Sequence, residues 1–312
     1  MKIAIIGTGG VGGYFGGKMA QAGFDVTFVA RGENLKALQQ NGLTVKSFLG
    51  DFNILPVKAT DQIDQIGKVD LVILGVKAWQ VKEIATTLTP LLHSDTAVMP
   101  LQNGVMASEE LQAAIAKQNV IGGLCRIFAK IESPGVINHF AYDPLIIFGE
   151  LNNEKSERIE RIKSLFDTSG INSKIADDIT AELWRKFIGI CVGGLLAVTR
   201  SDYGIVRELP QTRKLMCDLL FETYRLSQKI GINIESDFTD KTMDFIDSFP
   251  SDSNTSLARD VWEGRPSEIE YQNGTVVKLG EKYGMATPIN RFIYDCILPM
   301  EIIARGENHS IV

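Results

Sequence analysis

The chain has 312 residues, 45% of them hydrophobic and 22% charged, with a formal net charge of −6. That length suits two domains, and that composition suits a globular protein with a substantial core. The acidic balance offers no basic surface of the kind that nucleic acid or an anionic membrane requires, so neither is an expected partner.

At the N-terminus Met1-Lys2 runs straight into an apolar strand, Ile3 to Ile6, so no secretory signal is expected there and the chain reads as cytoplasmic. Gly7-Thr8-Gly9-Gly10-Val11-Gly12 follows, then a helix-like segment, then a second strand from Val26 to Val29. This is the start of a βαβ unit with glycines placed as a dinucleotide pyrophosphate needs them. Gly7 permits the tight turn, Gly9 lets the backbone approach the phosphates, and Gly12 lets helix and strand pack closely. The N–H groups and dipole of the new helix then face the anion. The other reading is a strand-to-helix turn with no ligand. An NAD-specific site usually closes the second strand with Asp or Glu, which accepts from the ribose 2′-OH. Here the strand closes with Ala30 and Arg31, while Asp25 opens it and points away. An arginine fork suits a 2′-phosphate, so NADP(H) is the favoured cofactor. Glu33 is the alternative, two residues on, taking the hydroxyl instead.

Strand and helix signals alternate from there. Asn34 to Asn41 reads as a helix closed by Gly42, followed by strands at Leu43–Val45 and Ile54–Val57. Val69–Val76 is apolar apart from Asp70, as parallel strands covered on both faces are. A helix is predicted over Trp79–Leu92, then a strand at Ala97–Leu101, a turn at Gln102-Asn103-Gly104 and a helix from Ser108. Short strands recur from Val120 to Phe148 and read as the far edge of the same sheet turning antiparallel. The amphipathic segment Glu154–Thr168 ends the first domain, with a link at Ser169–Asp178. Beyond it the pattern is helical. Phe187–Val198 reads as a buried helix too short to span a membrane, and apolar periodicity returns at Leu215–Ile230, Phe238–Ile246 and Ile289–Ile303. The expected architecture is α/β: a Rossmann-type doubly wound sheet over residues 1–172, then an all-α domain over 173–312. Cys125, Cys191, Cys217 and Cys296 are widely spaced in apolar surroundings and read as buried reduced thiols. His93, His139 and His309 form no ligand cluster, so no metal site is expected.

Four polar clusters could carry chemistry. Lys77 closes the Val69–Val76 strand, at the carboxyl edge where doubly wound sheets bind ligands; otherwise it is a solvated strand-end charge. Asn103-Gly104 closes the next strand. It is a common turn pair, but Asn103 could also hydrogen-bond a substrate or the nicotinamide ribose. AELWRKF opens the apolar helix after Asp177, Asp178 and Thr180, which suit a helix N-terminus. Glu182 and Lys186 stand four apart, the spacing of a surface ion pair. Lys186 also precedes Phe187, Ile188, Ile190 and Cys191; drawn into such surroundings, its ammonium is disfavoured and becomes a better proton donor at neutral pH. Gly189, Gly193 and Gly194 let another backbone or a ligand come close. In SEIEYQNG, Ser267 to Gly274, nothing local separates Glu268 and Glu270 from ordinary exposed carboxylates.

Taken together, the glycine turn, Arg31, VKAWQ, the QNG turn, ELWRK and SEIEYQNG resemble the ketopantoate reductases (2-dehydropantoate 2-reductases) in order and spacing along nearly the whole chain. The resemblance implies a Rossmann domain and a helical domain with the active site in the cleft between them. It also implies reduction of 2-dehydropantoate to (R)-pantoate with NADPH, in pantothenate and coenzyme A biosynthesis. By position, Lys186 matches the general acid, and Glu268 a polar residue that hydrogen-bonds the substrate. Asn103 and Lys77 match residues near substrate and nicotinamide, and Ser256 matches a substrate-binding serine. Arg31 matches the residue at the 2′-phosphate; Gly7 to Gly12, Lys77, Asn103 and Glu268 complete the implied cofactor set. One departure stands out: Ile190 and Gly194 occupy places where the family carries substrate-reading asparagines. The identity of the 2-oxo acid is therefore open, since losing such groups changes discrimination by orders of magnitude. A related reductase of another 2-oxo acid is the second reading. A non-catalytic NADP(H)-binding regulator is a third, against which the presence of Lys186, Glu268, Asn103 and Lys77 weighs. Monomer and homodimer both remain open.

Overall fold

A computed structural model describes residues 1–306, which leaves His309 outside the described residues. It comprises two compact units, the first formed by Met1–Gln102 and Met106–Thr180, the second by Asn103–Val105 and Ala181 onward.

The first unit opens with β1 (Lys2–Ile6), α1 (Gly10–Gln21), β2 (Asp25–Val29), α2 (Gly32–Asn41), β3 (Leu43–Ser47), β4 (Phe52–Ile54), β5 (Lys58–Thr60) and β6 (Leu71–Leu74). The short helix α3 (Val81–Ala85), β7 (Ala97–Pro100) and α4 (Ala107–Gln112) follow. Five of these strands form a parallel sheet in the order β5-β2-β1-β6-β7. The two-residue period of the strands explains its apolar runs. Ile3 and Ile5 enter one core with Phe15, Phe28 and Met99, whereas Ala4 and Ile6 face the other with Val72, Leu74, Ile84 and Leu111.

The helix expected over Trp79–Leu92 is broken into α3 and two 3-10 turns, Ala78–Gln80 and Thr89–Leu91. The Gln80 side chain accepts from the Lys77 N–H, and the Thr86 and Thr87 hydroxyls bond to the Glu83 and Ile84 carbonyls. Those local bonds compete with the helical ladder, and Pro90 cannot continue it.

The segment Val120–Phe148 is not the far edge of the parallel sheet. It forms a long hairpin, β8 (Ile121–Ser133) and β9 (Val136–Glu150), in a second, mixed sheet. One edge of β9 takes β3 along its first residues and β10 (Asn172–Ile175) along its last, both parallel, while β8 runs antiparallel on the other edge. Between them α5 (Glu157–Thr168) packs Ile159, Ile162 and Phe166 into the same core. The expected link at 169–178 thus contains a strand. This moves the boundary from 172/173 to 180/181, because residues 172–175 are hydrogen-bonded to β9.

The second unit is helical: α6 (Ile179–Ile190, which begins in the first unit), α7 (Val192–Thr199), α8 (Tyr203–Glu208), α9 (Pro210–Ile230), α10 (Phe238–Asp247), α11 (Ser256–Trp262), α12 (Asn273–Lys282) and α13 (Pro288–Arg305). The apolar segment read as one buried helix is two. At the break the Cys191 carbonyl accepts from Gly194 N–H three residues on, at 3.2 Å, and from Asn273 Nδ2 at 3.1 Å. No described helix is long and apolar enough to cross a membrane. Cys125 and Cys191 are buried, but Cys217 and Cys296 are only half-buried, because each sits at the margin of an amphipathic helix; none of the four is in a disulfide.

Candidate active site

The turn between β1 and α1 is built as its glycines foretell. Gly7 has φ +94°, which an L side chain rarely adopts, and a Cβ there would lie 2.6 Å from Val76 Cγ1. A Cβ on Gly12 would stand 2.1 Å from the Gly7 carbonyl oxygen, so helix and strand touch through it. Gly9 differs: a Cβ there would meet only the Gly75 carbonyl, at 3.8 Å. Protein packing does not require a glycine at position 9, whereas an approaching ligand would. Gly10 abuts the Ala129 carbonyl of β8, so the hairpin lies against the start of α1. The helix begins with no side-chain cap and no acidic residue in its first turn, which leaves its N–H end and dipole suited to an anion. Thr8 is buried; its hydroxyl donates to the Val29 carbonyl and its carbonyl accepts from Asn34 Nδ2 at 3.1 Å. Asn34 also accepts from Gly135 N–H at 2.8 Å and so ties the glycine turn to the hairpin tip, a role with no signal in the local sequence.

These geometries make opposite predictions for two glycines. Gly12→Ala is expected to destabilise the protein by roughly 1–3 kcal/mol, because backbone must move. Gly9→Ala is expected to leave thermal unfolding unchanged and to abolish dinucleotide binding. Calorimetry and cofactor titration of both variants check this; loss of stability in Gly9→Ala would assign that glycine to packing.

At the end of β2, Arg31 is exposed, and its guanidinium makes no hydrogen bond or ion pair among the described residues. Glu33 pairs with Lys36 at 2.8 Å and Asp25 with Lys58 at 2.7 Å, so both acidic candidates are engaged elsewhere. Lys77 is exposed beyond β6, with its ammonium 5.6 Å from the centre of the Trp79 ring. The adjoining Gln102 is buried and donates to the Leu74 and Val76 carbonyls, which locks the carboxyl ends of β6 and β7 together.

In the second unit Asn103 and Glu268, 165 residues apart in sequence, are brought together: Asn103 Nδ2 donates to Glu268 Oε2 at 3.2 Å. Glu268 is buried, not the exposed helix carboxylate its neighbours suggest, and stands at the start of a 3-10 turn, Ile269–Tyr271. Gly104 packs on that turn, where a Cβ would lie 2.7 Å from the Tyr271 carbonyl. Glu270 turns the other way, toward Lys278 and the Tyr294 hydroxyl. Burial alone would raise its carboxyl pKa, but the hydrogen bonds from Lys278 and Tyr294 outweigh that and hold it below the usual carboxylate range.

Lys186 is half-buried on α6, whose buried Trp184 and Phe187 rings pack edge to face on each other, while Glu182, one turn earlier, is within 3.7 Å of Arg185. Ser256 is the exposed first residue of α11, whose cap is Thr255 accepting from Ala258 N–H. Ile190 packs at the edge of the helical core. Gly194 is closed off by protein: a Cβ there would stand 2.3 Å from Asn273 Oδ1.

A chain with a parallel sheet carrying an open glycine turn in one unit, and a half-buried lysine and a buried glutamate in a helical second unit, fits the class of Rossmann-fold oxidoreductases. The family model described as "Ketopantoate reductase PanE/ApbA" matches residues 3–153, and "Ketopantoate reductase PanE/ApbA C terminal" matches residues 178–301. The chain belongs to the ketopantoate reductase family. It is 30% identical over 298 residues to a 2-dehydropantoate 2-reductase of a Nostoc species, covering 94% of this chain and 93% of that one. It is 27% identical over 297 residues to the uncharacterized oxidoreductase YkpB of Bacillus subtilis, covering 94% and 97%. A solved 2-dehydropantoate 2-reductase from Geobacter metallireducens superposes with a TM-score of 0.89 at 28% identity, covering 96% of this chain and 99% of that one.

Proposed function

We propose that this protein is an NADPH-dependent 2-dehydropantoate 2-reductase acting in pantothenate biosynthesis in the cytoplasm. The observation that carries the cofactor reading is Arg31 at the end of β2, whose guanidinium has no partner among the described residues while both nearby carboxylates are engaged elsewhere. The open face of Gly9 and the uncapped start of α1 fit the pyrophosphate. In this reading Gly7, Thr8, Gly9, Gly10, Val11, Gly12 and Arg31 hold the dinucleotide, and Lys77, Asn103 and Glu268 complete its site. Bound NADPH supplies the hydride for the keto carbon of the substrate. Lys186 stabilises the negative charge that grows on the carbonyl oxygen and gives that oxygen its proton. Glu268, oriented by Asn103, accepts from a substrate hydroxyl, and Ser256 adds a further hydrogen bond.

The absence of polar side chains at 190 and 194 favours a second reading, reduction of a different 2-oxo acid. Ile190 offers no hydrogen bond, and Asn273 fills the space over Gly194. Following NADPH absorbance with ketopantoate and a panel of other 2-oxo acids separates the two. Ketopantoate is expected to give the highest kcat/KM. Another acid exceeding it by about tenfold or more, a preference of at least about 1.4 kcal/mol, would install the second reading. Cofactor binding without turnover of any acid would remove both.

A further inference from the structure

The 3-10 turn bearing Glu268 is tied on both flanks to one face of α13. On the leading side Ser267 is fully buried. Its N–H donates to both Glu301 carboxylate oxygens, at 3.1 and 2.9 Å, and its hydroxyl donates to Oε2 at 2.7 Å. The same hydroxyl oxygen accepts from Ile269 N–H, closing the first bond of the turn. Arg305, one helical turn beyond Glu301, pairs with that carboxylate at 2.6 Å and donates to the Ser267 carbonyl at 3.3 Å. On the trailing side the Tyr294 hydroxyl donates to Glu270. Tyr294 and Glu301 are seven residues apart, two helical turns, and therefore share a face.

Glu301 is out of place by the ordinary rule for helices. It continues the buried stripe Ile293, Ile297 and is only 6% exposed. A carboxylate there is tolerable only when its oxygens are satisfied, and a leucine would fill the stripe without that demand. The bonds that satisfy it converge on the residue before Glu268.

We infer that Glu301 is a positioning residue for Glu268: through Ser267 it fixes the turn that presents the Glu268 carboxylate to Asn103 and to substrate. The inference rests on the reading of Glu268 as a substrate-binding group. Its test uses the full-length chain and the variants Glu268→Gln, Glu301→Gln, Ser267→Ala and the Glu268→Gln/Glu301→Gln double. For each, kcat and KM, the Kd of NADPH by fluorescence titration, and the melting temperature are measured. Glu301→Gln is expected to lower kcat/KM for the 2-oxo acid about tenfold, as small misplacements of a contact group do, and to change the NADPH Kd no more than Glu268→Gln does. In the Glu268→Gln background the same change is expected to cost nothing further, because one group acts through the other. Multiplicative losses in the double variant overturn the inference and leave Glu268 its role. A Glu268→Gln enzyme with wild-type kinetics overturns the reading of Glu268 and the inference with it. Should Glu301→Gln fail to fold, Ser267→Ala decides. It keeps the backbone bonds and removes the hydroxyl, and unchanged kcat/KM in it overturns the inference.

Discussion

Lys186→Ala is expected to lower kcat by about 10²- to 10⁴-fold, the range a positioned acid contributes, while NADPH still binds. Hydride arriving at a keto carbon leaves a full charge on oxygen, and without the ammonium that charge must be met by water, a weaker and unpositioned donor. The packing around the lysine supports this role. Lys186 is half-buried, and the next residue in the chain, Phe187, is only 1% exposed, so the lysine stands at the margin of the helical core. Lys186→Arg serves as the control: it keeps the charge but not a proton that can be given up near neutrality, so it is expected to rescue little of kcat. Steady-state kinetics alongside cofactor titration check both variants, and turnover within about threefold of wild type, under about 0.7 kcal/mol, would remove Lys186 from the chemistry.

For Arg31→Ala, the affinity for NADPH is expected to fall by roughly 10²-fold while that for NADH barely changes. Hydrogen bonds to charged groups contribute about 1.5–3 kcal/mol each, and roughly 1.4 kcal/mol is a factor of ten. Because Arg31 is exposed, the difference should shrink as salt rises, since screening acts on open charges. Equal losses for both dinucleotides would show that the arginine does not read the 2′-phosphate. A gain for NADH in Lys36→Ala, which releases Glu33, would further show that the engagement of Glu33 matters to the preference.

The legible parts of this chain are those written in short-range pattern. The roles expected of Gly7 and Gly12 reappear as a positive φ and as a helix start with no room for a Cβ, because both follow from the few residues of the turn itself. The strands β1 and β6 are apolar at every position or nearly so, which announces a sheet covered on both faces. The hairpin was readable as strand but not as to its sheet. The register joining β9 to β10 and β3 pairs residues 27 and 92 positions apart, and no local signal encodes such a partner. The broken helix after Lys77 shows the same limit at closer range, since threonine hydroxyls that turn back on the main chain outweighed the apolar periodicity.

At the candidate site the divide is between identity and environment. Residue types and spacing alone marked Lys186, Asn103 and Arg31 as candidates and made Arg31 the ground for expecting NADP(H), whereas Glu268 entered only through the family resemblance. That Glu268 is buried and joined to Asn103, that Glu33 is paired away from Arg31, and that Asn273 closes the space over Gly194 are tertiary facts. Glu301 lies between: its spacing places a carboxylate on the apolar stripe of α13, a visible anomaly, but its partner Ser267 is 34 residues away. Sequence determines where the chain turns, which faces are apolar and which chemical groups are present. Which of those groups meet, and which are buried when they do, is decided by packing, because desolvation and hydrogen bonding depend on neighbours that the linear order does not supply.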